Sequence, residues 1–247
     1  MDHHTVAAVS ISGSCLDVLG SLYLAYDLLG GKHGPLRLLT RAVTYSIVFG
    51  VGYGLGLGAF FGLFAGVATG MTVAIELNRV SRGMKDYSLG MQAFFSAIRS
   101  VGIGIGLYPA VGLRFVIVFG ILLTIGQVLG YAQGVKPSMD YVASRRPRFT
   151  RRQFWGTVVR TFGYASAALL CNFLVRHVDH PWTFALRIGV VVGLVTAAGV
   201  AVNPYIEYYA DNLPERRLGV FGIGLILIGF ALQSLQYWLA LFDVHLT

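Results

Sequence analysis

Charged residues are scarce in this chain of 247 residues: they form 12% of it, against 55% hydrophobic residues. A soluble domain carries about 25% charged residues, so the composition argues against an ordinary soluble protein. Cysteine is also rare, and Cys15 and Cys171 stand alone in apolar segments. Isolated cysteines of this kind are typical of packing positions rather than of a disulfide or a metal pair.

Catalytic motifs are missing as well. The chain has no nucleophile elbow, no phosphate-binding loop, no histidine pair on a helix and no CxxC motif. This inventory argues against an enzyme, and it predicts neither a cofactor nor a metal. The net charge of +8 does not predict a nucleic-acid partner, because membrane proteins collect Lys and Arg in cytoplasmic loops.

Long apolar runs are abundant instead. About 20 such residues cross the hydrocarbon layer as a helix, and the runs predict an all-α, polytopic transmembrane helical bundle of about eight spans. The predicted spans are about 5–29, 42–56, 59–77, 92–108, 113–133, 153–175, 182–209 and 218–242.

The apolar stretch from Val43 to Leu77 decides the topology. It carries one charge, Glu76, and lies between Arg41 and Arg79. A hairpin turning within 54–58 returns Arg79 to the side that holds Arg41, and most of the 19 Lys and Arg residues then share that side. The asymmetry predicts that this side is cytoplasmic and that both termini lie outside, in a cell (inner or plasma) membrane.

The two halves of the chain match each other weakly. Segment 41–45 aligns with 160–164, Glu76 aligns with Glu207, and Pro109 is expected to end the fourth span. We predict one membrane domain over 1–247, with repeat 1 at about 5–109 and repeat 2 at about 113–243. Four spans per repeat give the halves a parallel orientation.

A glycine ladder runs through the central stretch. Glycines four residues apart share one helix face and let backbones approach closely. The ladder is either ordinary close packing, within a protomer or between copies, or the smooth wall of a pore or sliding helix. Its members are Gly50, Gly54, Gly58, Gly62, Gly66 and Gly70.

Asp17 is the strongest single candidate for a functional residue, because it lies near the middle of the first span. A charge at that depth costs about 2.5–3.5 kcal/mol on insertion scales, so it needs protonation, a cation or a partner. Asp17 is therefore either a proton or cation site or half of a structural ion pair with Arg160, Arg187 or Arg114. Gln233 has the type of side chain that hydrogen-bonds across helices.

Four further residues complete the predicted ion- or substrate-binding set with Asp17. Glu76 and Glu207 occupy matching places near the inner ends of their spans, and Asp27 lies at a similar depth. Asn203 precedes Pro204, which should kink the helix. The acids either form an inner vestibule or make local pairs, for example Glu76 with Arg79.

These features predict a channel or secondary transporter for an ion or small solute, with its route near the repeat interface. The alternative is a non-catalytic membrane subunit or scaffold that packs into a larger complex or binds anionic lipid. A lipid-modifying enzyme ranks third. The expected partners are the lipid bilayer and either further copies or other membrane subunits.

Overall fold

The computed structural model describes residues 3–29, 36–82, 88–132, 144–146, 149–175, 179–212 and 217–241. In these ranges most of the chain is helical, and no strand forms. The seven helices are α1 (His3–Leu28), α2 (Arg37–Leu57), α3 (Ala59–Ser81), α4 (Leu89–Ala132), α5 (Arg151–Val175), α6 (Pro181–Asn212) and α7 (Arg217–Leu241). All seven contain a stretch long and apolar enough to cross a membrane. The expectation of an all-α protein is confirmed, and the apolar helices indicate a membrane protein.

The central apolar stretch forms two helices rather than one. Leu57 ends α2, Gly58 adopts φ 102°, and α3 begins at Ala59. A side chain rarely adopts this conformation, so glycine permits the turn. The reversal lies at the end of the predicted turn, because Gly54 to Leu57 continue the helix.

Helix α4 folds back on itself at Gly112, which has φ 71° and ψ 168°. The Thr124 hydroxyl donates to the Ser100 hydroxyl at 3.0 Å, although a straight helix would separate residues 24 apart by about 36 Å. Two antiparallel arms, 89–111 and 113–132, therefore pack together. The expectation that Pro109 ends this span is wrong. The fixed φ of proline is compatible with a helix, and the first arm continues past Pro109 until the helix breaks at Gly112.

The helices group into two compact units. One comprises residues 1–40 and 209–247, and the other comprises residues 41–208. In the first unit α1 and α7 run antiparallel, with Gly13 against Gly229 and Gly20 against Gly222.

The second unit contains the largest fully buried side chains, among them Tyr45, Phe115 and Phe119. Its two arms of α4 pack with α2, α3, α5 and α6 around this aromatic core. Within the core, the Cys171 thiol donates to the carbonyl oxygen of Phe115 at 3.3 Å, so this cysteine is a packing residue.

Candidate functional site

Two buried ion pairs join distant parts of the second unit. The first links Arg41 in α2 to Glu207 in α6. Tyr45, one turn beyond Arg41, donates its hydroxyl to Glu207 Oε1 at 3.0 Å, and Arg41 also donates to Ser81 Oγ at 3.3 Å. Glu207 is 2% exposed, so both charges of the pair are held away from water and neutralise each other.

The second ion pair links Glu76 in α3 to Arg99 in the first arm of α4. Arg99 Nε also donates to Thr72 Oγ1 at 2.8 Å. Thr72 in turn donates to the carbonyl oxygen of Thr69 at 2.9 Å, within its own helix. The partner of Glu76 is thus an arginine on another helix, not Arg79 three residues along.

A cavity lies between these elements within the second unit. Its volume is about 80 Å³, and one water needs about 10–15 Å³, so several waters or a small solute fit. Six helical segments contribute to its wall, since α4 supplies one residue from each arm. The lining residues are Phe49, Tyr53, Thr69, Val73, Glu76, Leu77, Arg99, Gln127, Gln153, Arg160, Tyr164, Thr196, Val200 and Asn203.

Arg160 is the distinctive charge of the cavity. It is half-buried and forms no hydrogen bond or ion pair with any of the described residues. Glu76 attracts its guanidinium group and Arg99 repels it, but Glu76 is already bound to Arg99. The cavity wall therefore carries one excess positive charge.

Asn203 is the second unsatisfied group on the wall. It is 9% exposed, and its Oδ1 is buried without a hydrogen-bond partner among the described residues. A buried amide left unpaired costs about 1–3 kcal/mol, so a polar atom in the cavity would stabilise it. Asn203 belongs to the predicted binding set, and the structure places it beside Glu76 on this wall.

Tyr164 and Gln153 complete the polar lining. Gln127 donates its amide to the Tyr164 hydroxyl at 3.2 Å, which leaves the tyrosine's own proton available. Gln153 and Thr150 exchange reciprocal side-chain bonds at the start of α5, which is the capping-box arrangement. Because Gln153 also lines the cavity, the cavity reaches the first turn of α5.

Of the five predicted residues, Glu76, Asn203 and Glu207 lie in the 41–208 unit, whereas Asp17 and Asp27 belong to the other unit. Asp17 accepts a hydrogen bond from Gln233 in α7, and Asp27 accepts one from the Gly219 backbone at 3.3 Å. The observed partner of Asp17 is a glutamine rather than one of the three predicted arginines. Its Oδ1 is buried with no partner in the described part of the chain.

The glycine ladder lies at the contact between α2 and α3. A methyl group on Gly66 would strike the backbone of Gly50, and one on Gly70 would strike the backbone of Ser46. A methyl group on Gly62 would likewise strike the backbone of Gly54. Gly58 instead forms the turn between the two helices. The ladder thus lets two helix backbones meet within one protomer.

Sequence reasoning missed Arg160 and Tyr164 as site residues and missed Arg41 and Arg99 as ion-pair partners. All three arginines lie inside apolar helices. The sequence pattern used Arg41 and Arg99 only for the charge asymmetry between the two sides, and it used Arg160 for that asymmetry and as a possible partner of Asp17. Intramembrane depth is a usable signal, because a central arginine costs about 2.5–3.5 kcal/mol on insertion scales and is usually functional or paired. The alignment of 41–45 with 160–164 was a second signal.

In the described residues no group of three or more His, Cys, Asp or Glu side chains could hold a metal ion. The seven long apolar helices indicate a helical membrane protein, and its 41–208 unit holds a polar cavity with one excess positive charge on its wall. No known protein family, curated protein or solved structure matches the chain. Its function is therefore inferred from these residues alone.

Proposed function

We propose that the protein is a channel or secondary transporter for an ion or small solute, and that the solute occupies the cavity of the 41–208 unit. The observation that supports this is a polar cavity with an unpaired arginine and an unpaired amide, inside helices of membrane-spanning composition. Apolar packing alone would favour filling such a space with aliphatic side chains. Glu76 and Asn203 line the solute site in this proposal.

The topology that we propose has eight crossings. The reversals at Gly58 and Gly112 support it, since each arm of α4 reaches the roughly 20 residues that a crossing needs. The basic side is then cytoplasmic and the termini lie outside.

We also propose that repeats 1 and 2 are related by an axis along the membrane normal. Under that relation the α1–α7 pair corresponds to the two arms of α4, and both pairs are antiparallel. The Arg41–Glu207 pair then joins the two repeats, and its counterparts are Arg160 and Glu76. Both of those residues line the cavity, which favours a solute site between the repeats.

Flux through purified protein in liposomes tests the proposal. Sodium, potassium and chloride salts, a carboxylate salt and a neutral polyol would be tried in turn, with swelling or a pH-sensitive dye as the readout. We expect Asn203→Leu, which fills the cavity, to reduce flux. Val202→Leu should not, because that side chain is 37% exposed on the same helix. Equal flux of the two variants would contradict the proposed site.

Asp17 remains a proposed proton or cation site in the other unit. Its hydrogen bond to Gln233 supports a structural role equally well. Asp17→Asn keeps the shape of the side chain and removes the charge, so the two roles separate. Full flux by this variant would contradict the proton or cation role.

The alternative is a non-catalytic membrane subunit that packs into a larger complex. Gly126 and Gly130 favour it, because both face open space within the protomer and lie one turn apart. Small residues in that spacing let a helix from another chain approach. Constant co-purification with other subunits, without flux by the isolated protein, would support this alternative.

A further inference from the structure

The charges of the cavity indicate what it binds. We propose that it holds an oxyanion group, a carboxylate or a phosphate, on the guanidinium of Arg160. This inference concerns the same cavity as the proposed function and names the ligand class. It depends on the proposed solute site, but it does not require that the ligand be transported.

The first argument is the balance of charge around Arg160. Among the described residues the cavity wall contains one acid, Glu76, and Arg99 binds its carboxylate. Glu207, the counterpart of Glu76 in the second half, is bound to Arg41 in the same way. Among the described residues Arg160 thus has no carboxylate of its own, in a setting where an unpaired charge is expensive. An anion in the cavity supplies the missing charge.

The second argument is hydrogen-bonding geometry. A guanidinium group presents a planar fork of donors that matches two oxygens of a carboxylate or phosphate. Tyr164 lies one helical turn after Arg160 and therefore on the same face of α5. Its hydroxyl accepts from Gln127 at 3.2 Å, so the hydroxyl proton can be donated to the same anion.

The third argument is the unpaired amide of Asn203. Its buried Oδ1 lacks a partner in the described part of the chain and lines the same cavity. An amide recognises a neutral hydroxyl or N–H group as well as an anionic oxygen. The ligand that satisfies both residues has an anionic head on Arg160 and a polar substituent near Asn203.

Two sources of this chemistry exist, a free small anion and the phosphate of a lipid headgroup. Tryptophan-monitored thermal unfolding of the full chain in a neutral detergent tests the first, with acetate, lactate and inorganic phosphate against chloride at equal ionic strength. Nanodiscs of phosphatidylglycerol against digalactosyldiacylglycerol, a neutral bilayer lipid without phosphate, test the second. Saturable stabilisation by an oxyanion in either arm supports the inference and identifies the source.

Three variants make the test specific. Arg160→Gln should weaken the binding of the effective oxyanion at least about tenfold, because a charge-assisted hydrogen bond is lost. Arg160→Lys should retain part of the affinity, because the charge stays while the fork is lost. Arg114→Gln removes an exposed arginine from the second arm of α4, a different helical segment from that of Arg160. This change should leave the oxyanion affinity unchanged.

Glu76→Gln should change the oxyanion affinity in the opposite direction to Arg160→Gln. It removes the negative charge from the wall, so oxyanion affinity should rise severalfold. The inference is overturned if no oxyanion binds the wild type in either arm, or if Arg160→Gln and Arg114→Gln bind it equally.

The two proposals fail in different ways. Oxyanion binding without flux of any tested solute leaves the inference standing and contradicts transport. Cation or polyol flux blocked by Asn203→Leu, without oxyanion binding, contradicts the inference and leaves transport standing.

Discussion

Arg41 and Glu207 form a buried ion pair although 166 positions of sequence separate them. The pair fixes the beginning of α2 against the later part of α6. It is the only long-range charge contact of Glu207 in the described residues, and Tyr45 supports it with a hydroxyl. The contact therefore joins the first and second halves of the chain through one carboxylate.

Glu207→Gln should destabilise the protein strongly, because Arg41 would remain buried without its countercharge. Breaking a buried pair from one side costs about 3–5 kcal/mol. Thermal unfolding in detergent would measure the loss, and Tyr45→Phe should cost only about 1 kcal/mol because it removes one hydrogen bond.

The double variant Arg41→Gln, Glu207→Gln is the control for this prediction. It leaves no isolated charge, so its loss of stability should be smaller than the sum of the two single losses. Additive losses would contradict a direct interaction between the two side chains.

Gly70→Ala should also destabilise the protein, for a steric reason. The added methyl group would strike the backbone of Ser46 in α2, and backbone cannot move aside as a flexible side chain can. Overpacking of this kind costs about 1–3 kcal/mol. The unfolding midpoint in detergent would report it.

Gly126→Ala is the matched control, since nothing lies within 4 Å of its added methyl group. Alanine is the better helix former by about 1 kcal/mol, so this change should be neutral or stabilising. If both alanine variants behave alike, close packing does not explain the ladder.

The positions of the helices follow largely from local sequence. Predicted span 153–175 corresponds to α5 at Arg151–Val175, because the length of an apolar run is a property of the run itself. Glycine spacing in the same way predicted a helix face of close approach, but it left open whether that face meets a helix of the same protomer, another copy or a pore. The turn at Gly112 lies between predicted spans 92–108 and 113–133, as expected. Its cause, however, is a glycine rather than Pro109.

The partners of the buried charges could not be predicted in the same way. Glu76 has Arg79 three residues along, yet it binds Arg99 on another helix. Which helix faces which depends on packing over the whole unit, and apolar composition is nearly the same on every candidate face. Asp17 illustrates the same limit, since its partner is Gln233 in α7 rather than an arginine.

A disulfide would test the reversal within α4. In a background with Cys15→Ser and Cys171→Ala, cysteines at Ser100 and Thr124 should cross-link on mild oxidation. The two hydroxyl oxygens are 3.0 Å apart, so the β-carbons that carry them lie within about 6 Å of each other, and a small adjustment brings two cysteines into disulfide geometry. A shift in electrophoretic mobility that reductant reverses would be the readout.

The control pair combines the cysteine at Ser100 with one at Ile125, whose side chain is 51% exposed and points about 100° away from Thr124 around the helix. It should stay reduced under the same conditions. Cross-linking of the control pair alone would contradict the antiparallel packing of the two arms.

Labelling of single cysteines tests the proposed eight crossings. Leu55 and Tyr108 lie near the two reversals, and both side chains are exposed, so cysteines there should react with an impermeant maleimide on intact cells. Ser81 is exposed at the opposite end of α3, and its cysteine should react only after permeabilisation. The reason is that about 20 apolar residues separate the two ends of a span. Labelling of positions 55 and 81 from the same side of the membrane would contradict the proposed transmembrane hairpin. It would also contradict the cytoplasmic placement of the basic loops.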